Sequence, residues 1–184
     1  YLQATNPVNS SGKIILGSSG LTSFFNGTIR NVHRWNRVLS DSEISANYVT
    51  PINNSHLPGL VGNWSCMNIY GQILADLSGK GIYGLLGNSV VVENSDPRSS
   101  TISICNVSAD INANKHLYFD GINDLSTIYF PGVLIKDFTI EVTFRTDNAN
   151  ANGEQTIYQE GDASEGIRIY LNTDGHLLAT IQND

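Results

Sequence analysis

The stretch Phe138–Arg145, FTIEVTFR, alternates apolar and polar residues without an error. Phe138, Ile140, Val142 and Phe144 fall on one side of an extended chain, and Thr139, Glu141, Thr143 and Arg145 on the other. A period of two belongs to a strand with one buried face and does not suit a helix. A slip of one residue would reverse every face, so the register is well specified. Other extended runs surround it: Lys13–Gly17, Phe24–Arg37, Leu60–Ser65, Val90–Val92, Ile102–Cys105, His116–Phe130, Gln155–Glu160, Gly166–Leu171 and His176–Ile181. Glycine, asparagine and aspartate separate them. Asn172-Thr173-Asp174-Gly175 reads as a hairpin turn whose glycine stands where a positive φ is wanted. In Phe24–Arg37, Ile29 and Val32 are three apart, so either a bulge lies between them or both faces are partly covered. The pattern predicts an all-β chain.

One segment departs from it. Ser40 is a good N-cap, and Glu43 three residues on completes the S-x-x-E capping box. Leu39 before the cap and Ile44 after it form a hydrophobic staple. Ile44 and Tyr48 are four apart and are expected to share a face docked on a sheet, which gives one short helix over Ser40–Tyr48.

The chain has 184 residues, 40% of them hydrophobic and 15% charged, the balance of a globular protein with a real core. A formal net charge of −7 and the lack of any Lys/Arg run argue against nucleic acid and against anionic membranes. No apolar run approaches the roughly 20 residues that span a bilayer. A chain starting at Tyr1 without a signal peptide is read as processed or partial.

Gly27, Ile29, Val32, Trp35, Asn36, Arg37, Leu39, Ser40, Glu43, Ile44 and Tyr48 together resemble the motif that closes a laminin G-like, or concanavalin A-like, jelly-roll domain. Leu60–Ser65 resembles that family's opening strand. Asp76–Gly84 resembles its D-x-S-G loop, His116–Phe130 its F-D-G-x-n-D strand–turn–strand, and Phe138–Arg145 a following strand. The resemblance implies an antiparallel jelly-roll β-sandwich with one short helix. The closing motif stands ahead of the opening one, and the family's middle strands are not found. Residues 1–49 are therefore read as the C-terminal part of one jelly roll, 50–59 as a linker (TPINNSHLPG) and 60–184 as the N-terminal part of a second. The two stretches are expected to lie in two different sandwiches or in one incomplete one, completed by neighbouring repeats or neighbouring copies. Such domains occur in tandem in bacterial surface adhesins, so the resemblance implies a secreted or cell-surface, non-catalytic structural and adhesive module within a filament or array of repeats. The alternative is a carbohydrate-binding module attached to a glycan-degrading enzyme.

Many members of that family hold a structural Ca²⁺ at a loop edge. The matching positions are Asp76 in the D-x-S-G loop and Asp120, Asn123 and Asp124 in FDGIND. The competing reading is plain turn chemistry, since Asp, Asn and Gly make turns without a metal. An acidic pair usual in the family is replaced by Arg30-Asn31. Cys66 and Cys105, the only cysteines, either form one disulfide in an oxidising compartment or stay as two buried thiols. For catalysis the signals are poor. Glu141 stands without a second carboxylate on its strand, and no serine or cysteine nucleophile signature accompanies His33, His56, His116 or His176. His33 and His116 are read as surface or rim residues. Glycan binding would use aromatic faces, for which Trp35, Trp64, Tyr70, Tyr83, Tyr129, Tyr158 and Tyr170 are available. The resemblance places Trp35 and Trp64 at core or closure positions.

Overall fold

A computed structural model describes residues 8–9, 12–20, 22–50, 52, 56–70, 72–87, 116–131, 134–135, 137–149, 153–162 and 166–182. They form an antiparallel all-β sandwich of jelly-roll type with one helix. The strands are β1 (Val8–Asn9), β2 (Ile14–Leu16), β3 (Asn26–Trp35), β4 (Leu60–Tyr70), β5 (Ile73–Asp76), β6 (Gly84–Leu86), β7 (Leu117–Asp120), β8 (Ser126–Ile128), β9 (Leu134–Ile135), β10 (Thr139–Thr146), β11 (Gln155–Gly161), β12 (Gly166–Leu171) and β13 (Leu177–Gln182); helix α1 is Asp41–Val49. β1 pairs with β9 alone, and the others make one sheet in the order β10-β3-β4-β5-β6-β8-β2-β11-β12-β13, with β7 also on β3.

β3 lies next to the edge strand β10 and pairs with three strands, β10, β4 and β7. One edge bonds to β10 along its whole length, and the other bonds to β4 through Asn31–Trp35 and to β7 through Asn26–Ile29. The segment expected to close one domain is thus zipped between strands expected to open the next. Strands on either side of residues 50–59 share one sheet, because β3 on one side finds its hydrogen bonds on the other. The irregular spacing of Ile29 and Val32 resolves as a bulge: Asn31 pairs with Thr143 and Ile29 with Phe144, which leaves Arg30 as the extra residue. The bulge returns both apolar side chains to the core, where each is essentially fully buried.

The sheet curls back over itself. Ile29, Val32, Trp64, Ile128, Ile157 and Tyr158, from strands far apart in its order, share one core. Phe138 before β10 packs with Ile167 of β12 and Ile181 of β13, so the two ends of the sheet meet. Each large side chain fully removed from water contributes about 1.5–3 kcal/mol. Along β10 the expected alternation holds, with Phe138, Ile140, Val142 and Phe144 packed inward and Thr143 and Arg145 exposed. Thr139 and Glu141 differ. Thr139 is buried and Glu141 half-buried, because the helix and its flanking loops cover the outer face at that end. The Leu39 amide donates to Thr139 Oγ1, which in turn donates to the Arg37 carbonyl, both at 3.0 Å. Gly17 shows how tightly the layers close: it turns at φ 82°, and a Cβ there would lie 2.2 Å from the Phe119 ring.

The helix is capped as its sequence predicts. Ser40 Oγ accepts the Glu43 amide at 3.3 Å, and Glu43 Oε2 accepts the Ser40 amide at 2.9 Å. Arg37 forms two further bonds to the Glu43 carboxylate and, with Ser40, holds its pKa down at about 2. Leu39 and Ile44 join Trp35, Ile52 and Leu60 in a small apolar cluster outside the sheet. Tyr48 does not follow Ile44 inward; it is 88% exposed, since the cluster beneath α1 ends before the last turn. The hairpin at 172–175 is also as expected, with Gly175 at φ 78° and its amide donating to the Asn172 carbonyl at 3.0 Å.

Replacing Ser40 by alanine should cost about 0.5–2 kcal/mol in urea denaturation, the usual cost of a lost N-cap.

Candidate functional site

The residues singled out for calcium lie in two turns. Asp76 ends β5, and its carboxylate is fully engaged: Oδ1 accepts the Asn63 and Ser78 amides at 3.0 and 2.8 Å, and Oδ2 accepts Ser78 Oγ and the Ile82 amide at 2.8 and 3.0 Å. This one side chain holds the D-x-S-G loop against β4. Asp120 Oδ1 accepts the Ile122 and Asn123 amides at 2.8 and 3.4 Å, and Asp124 Oδ2 accepts the Asp120 amide at 2.8 Å. Among the described residues no three His, Cys, Asp or Glu side chains gather as a metal set. Calcium asks for six to eight oxygens, and the Asp76 oxygens already accept four donors. Asp76, Asp120 and Asp124 each accept backbone amides of their own turn, the bonding that turn chemistry expects. Cys66 lies on β4 with its side chain outside the described part, and Cys105 lies outside the described residues.

Asp124 is buried on the strand–turn–strand after β7. Burial foremost raises its pKa from 3.8 to about 6; the Asp120 amide pulls it down, and the Asp120 charge adds to the rise.

Two polar clusters that sequence reading missed lie on β3. Arg34 is wholly buried and points into the sandwich. Its Nε and Nη2 donate to Glu160 Oε2 and Oε1 at 2.8 and 3.3 Å, and Nη1 donates to the Trp35 carbonyl at 2.6 Å. Tyr158 donates its hydroxyl to Glu160 Oε2 at 2.7 Å, and Phe138 lies under the guanidinium at 4.7 Å. Burial, reinforced by the Glu160 charge, pushes the Tyr158 phenol well above its ordinary pKa, so it stays a donor. A signal existed: Val32 and Arg34 are two apart, as are Tyr158 and Glu160, so strand alternation puts each pair on one face. On the outer face His33 sits opposite Glu141 in the ladder. His33 is buried rather than on the rim, with Nδ1 3.5 Å from Glu141 Oε2. Trp35 Nε1 donates to the same oxygen at 2.8 Å, and Asn47 on α1 donates to both carboxylate oxygens at 3.1 Å. Burial alone would raise the Glu141 pKa. The hydrogen bonds from His33, Asn47 and Trp35, with the charge of His33, outweigh it and hold the carboxyl below its ordinary value.

The aromatics sort clearly. Trp35, Trp64 and Tyr158 are core residues; the Tyr70 side chain is outside the described part. Tyr83 and Tyr129 are both more than half exposed and flank the Gly84–Ile128 pair at the next register position of β6 and β8. Tyr170 is half-buried in a groove of about 330 Å³ over the outer face of β11, β12 and β13. Gln159, Arg168 and Thr180 are direct neighbours across those three strands and line the groove. Arg168 is pinned there: Nε and Nη2 donate to Thr156 Oγ1 at 2.9 and 2.8 Å, Nη1 donates to Glu154 Oε2 at 2.8 Å, and its guanidinium lies 4.2 Å from the Tyr170 ring centre. A second cleft of about 400 Å³, between Asn36, Pro58, Ser78 and Lys80, is framed largely by loop residues. Among the described residues no helix is long and apolar enough to cross a membrane.

No protein-family model, curated protein or solved structure matches this chain.

Removing one partner of a buried ion pair leaves the other charge uncompensated. Arg34→Met should therefore cost about 3–5 kcal/mol in denaturant unfolding, with much of that loss recovered in the Arg34→Met/Glu160→Leu double variant. For Asp124 the folded pKa lies above the unfolded one, so the native state keeps a proton that the unfolded chain has released. Stability should fall as pH rises between the two values, and the penalty should stand in full above the upper one. Asp124→Asn, which keeps an oxygen for the Asp120 amide, should flatten that fall in unfolding measured from about pH 4 to about pH 8.

Proposed function

We propose that this chain is a non-catalytic structural and adhesive module of a larger secreted or cell-surface protein, built on a laminin G-like jelly roll. The observation that carries the reading is how its carboxylates are used. Glu160 is consumed by Arg34 and Tyr158, Glu141 by Trp35, Asn47 and His33, and Asp76 by four donors of its own loop. These groups stiffen the sandwich and hold its helix and loop. Chemistry on a glycan needs two carboxylates facing one another across a cleft, and among the described residues the groove over β11–β13 is lined by a single one, Asp162. The closing-motif residues also adopt the capped strand–helix form that the resemblance implies.

The groove favours a second reading, a carbohydrate-binding module appended to a glycan-degrading enzyme. Both readings share binding without turnover. The neighbourhood of the module in its full-length protein separates them: repeats of itself for the adhesin, a hydrolase for the appended module.

Beads coated with the chain should be retained on glycan-bearing surfaces under flow without release of reducing sugar. Sugar release that disappears in Glu141→Gln would overturn the non-catalytic reading, and beads that wash off every such surface would overturn the adhesive one.

A further inference from the structure

The groove over β11–β13 has a chemistry of its own. β12 spends its backbone on β11 and β13 on either side, so a ligand on this face is read by side chains alone. Gln159, Arg168 and Thr180 stand in a row, one per strand. Adjacent strands are about 4.8 Å apart, close to the length of one pyranose ring. The row offers an amide, a guanidinium and a hydroxyl, and Gln182 and Ser19 add another amide and hydroxyl at the margin. Amides and hydroxyls both donate and accept, which suits a ligand made of hydroxyls. Tyr170 supplies the apolar ring surface that sugar sites use beside their polar groups.

The charge balance narrows the class. Arg168 is already neutralised by Glu154 at 2.8 Å, and Asp162 lines the same groove. A phosphate or uronate would have to displace Glu154 and approach Asp162, whereas a neutral sugar meets neither cost. Of the five guanidinium N–H groups, three are spent on Thr156 and Glu154. The other two are held in a fixed orientation by those same bonds and by the Tyr170 ring, so little order is lost on binding. The volume of about 330 Å³ lies at the small end of the range for ligand sites.

We propose that this groove is a binding site for a short neutral oligosaccharide, read by Gln159, Arg168 and Thr180 with Tyr170 as the ring platform. The proposal rests on the adhesive reading above and names the ligand class of that surface.

The test is calorimetric titration of the whole chain with neutral trisaccharides of glucose, mannose, galactose and xylose, and with uronic acid trisaccharides. At least one neutral sugar should bind. Tyr170→Ala and, separately, Gln159→Ala/Thr180→Ala should each weaken it about tenfold with unchanged melting curves, while Tyr83→Ala/Tyr129→Ala should bind as the parent does. Preference for the uronic acids, with affinity lost in added salt, would overturn the proposal in favour of an anion site. Binding kept in the groove variants but lost in the Tyr83/Tyr129 variant would move the site to β6 and β8. If beads adhere and no sugar binds, the groove proposal falls and the adhesive reading stands; if beads do not adhere and no sugar binds, both fall.

Discussion

The sandwich depends on one buried ion pair. Arg34 and Glu160 are 126 residues apart in the chain, and β4, β5, β6, β8 and β2 lie between their strands in the sheet. They can meet with both charges shielded from water only if the sheet folds over and β3 faces β11. Hydrophobic burial supplies most of the stability but is non-directional. Many registers of a curled sheet would bury comparable area. An unmade buried pair costs far more than a made one contributes, so the requirement that Arg34 find Glu160 penalises the alternatives. Tyr158 and the Trp35 carbonyl complete the pair's hydrogen bonds without water.

The same logic repeats at smaller scale. Glu141 ties β10, β3 and α1 together, and Asp76 ties a loop to β4. In each case one carboxylate gathers donors from segments distant in the chain. Among the described residues, Asp76 and Glu141 take amides, a hydroxyl and an indole as partners, with His33 beside Glu141, while the wholly buried Glu160 takes the Arg34 guanidinium.

What the sequence discloses follows the range of the forces involved. The alternation of Phe138–Arg145, the capping box at Ser40 and the Asn172–Gly175 turn are local, and each is legible because its partners lie within a few residues. Bulged β3 was legible as a choice between two causes, and only its pairing with Thr143 and Phe144 decided it. Tyr48 and His33 were misread because their surroundings come from elsewhere: the extent of the cluster beneath α1 leaves Tyr48 in water, and Glu141 on a strand over a hundred residues away buries His33. The aspartates of the two turns were visible as a donor-rich pattern. Whether their oxygens faced an ion or their own backbone depended on amide positions that no spacing rule supplies. The β11–β13 groove left no local trace, since Gln159, Arg168 and Thr180 become neighbours only through strand register.

The pairing of β3 with three strands has a consequence for the order of events during synthesis. Asn26–Trp35 is made before all of its partners: its two edges are satisfied by β4 and β7 on one side and by β10, which ends at Thr146, on the other. A chain leaving the ribosome carries this strand with one edge bare until β10 is made, with Arg34 still waiting for Glu160. Long-range pairing of this kind closes slowly, and a waiting edge invites the wrong partner. The charged and polar side chains of β3, Arg30, Asn31, His33 and Arg34, then serve a purpose that the finished sandwich conceals: until their mates arrive, they keep a future core strand soluble.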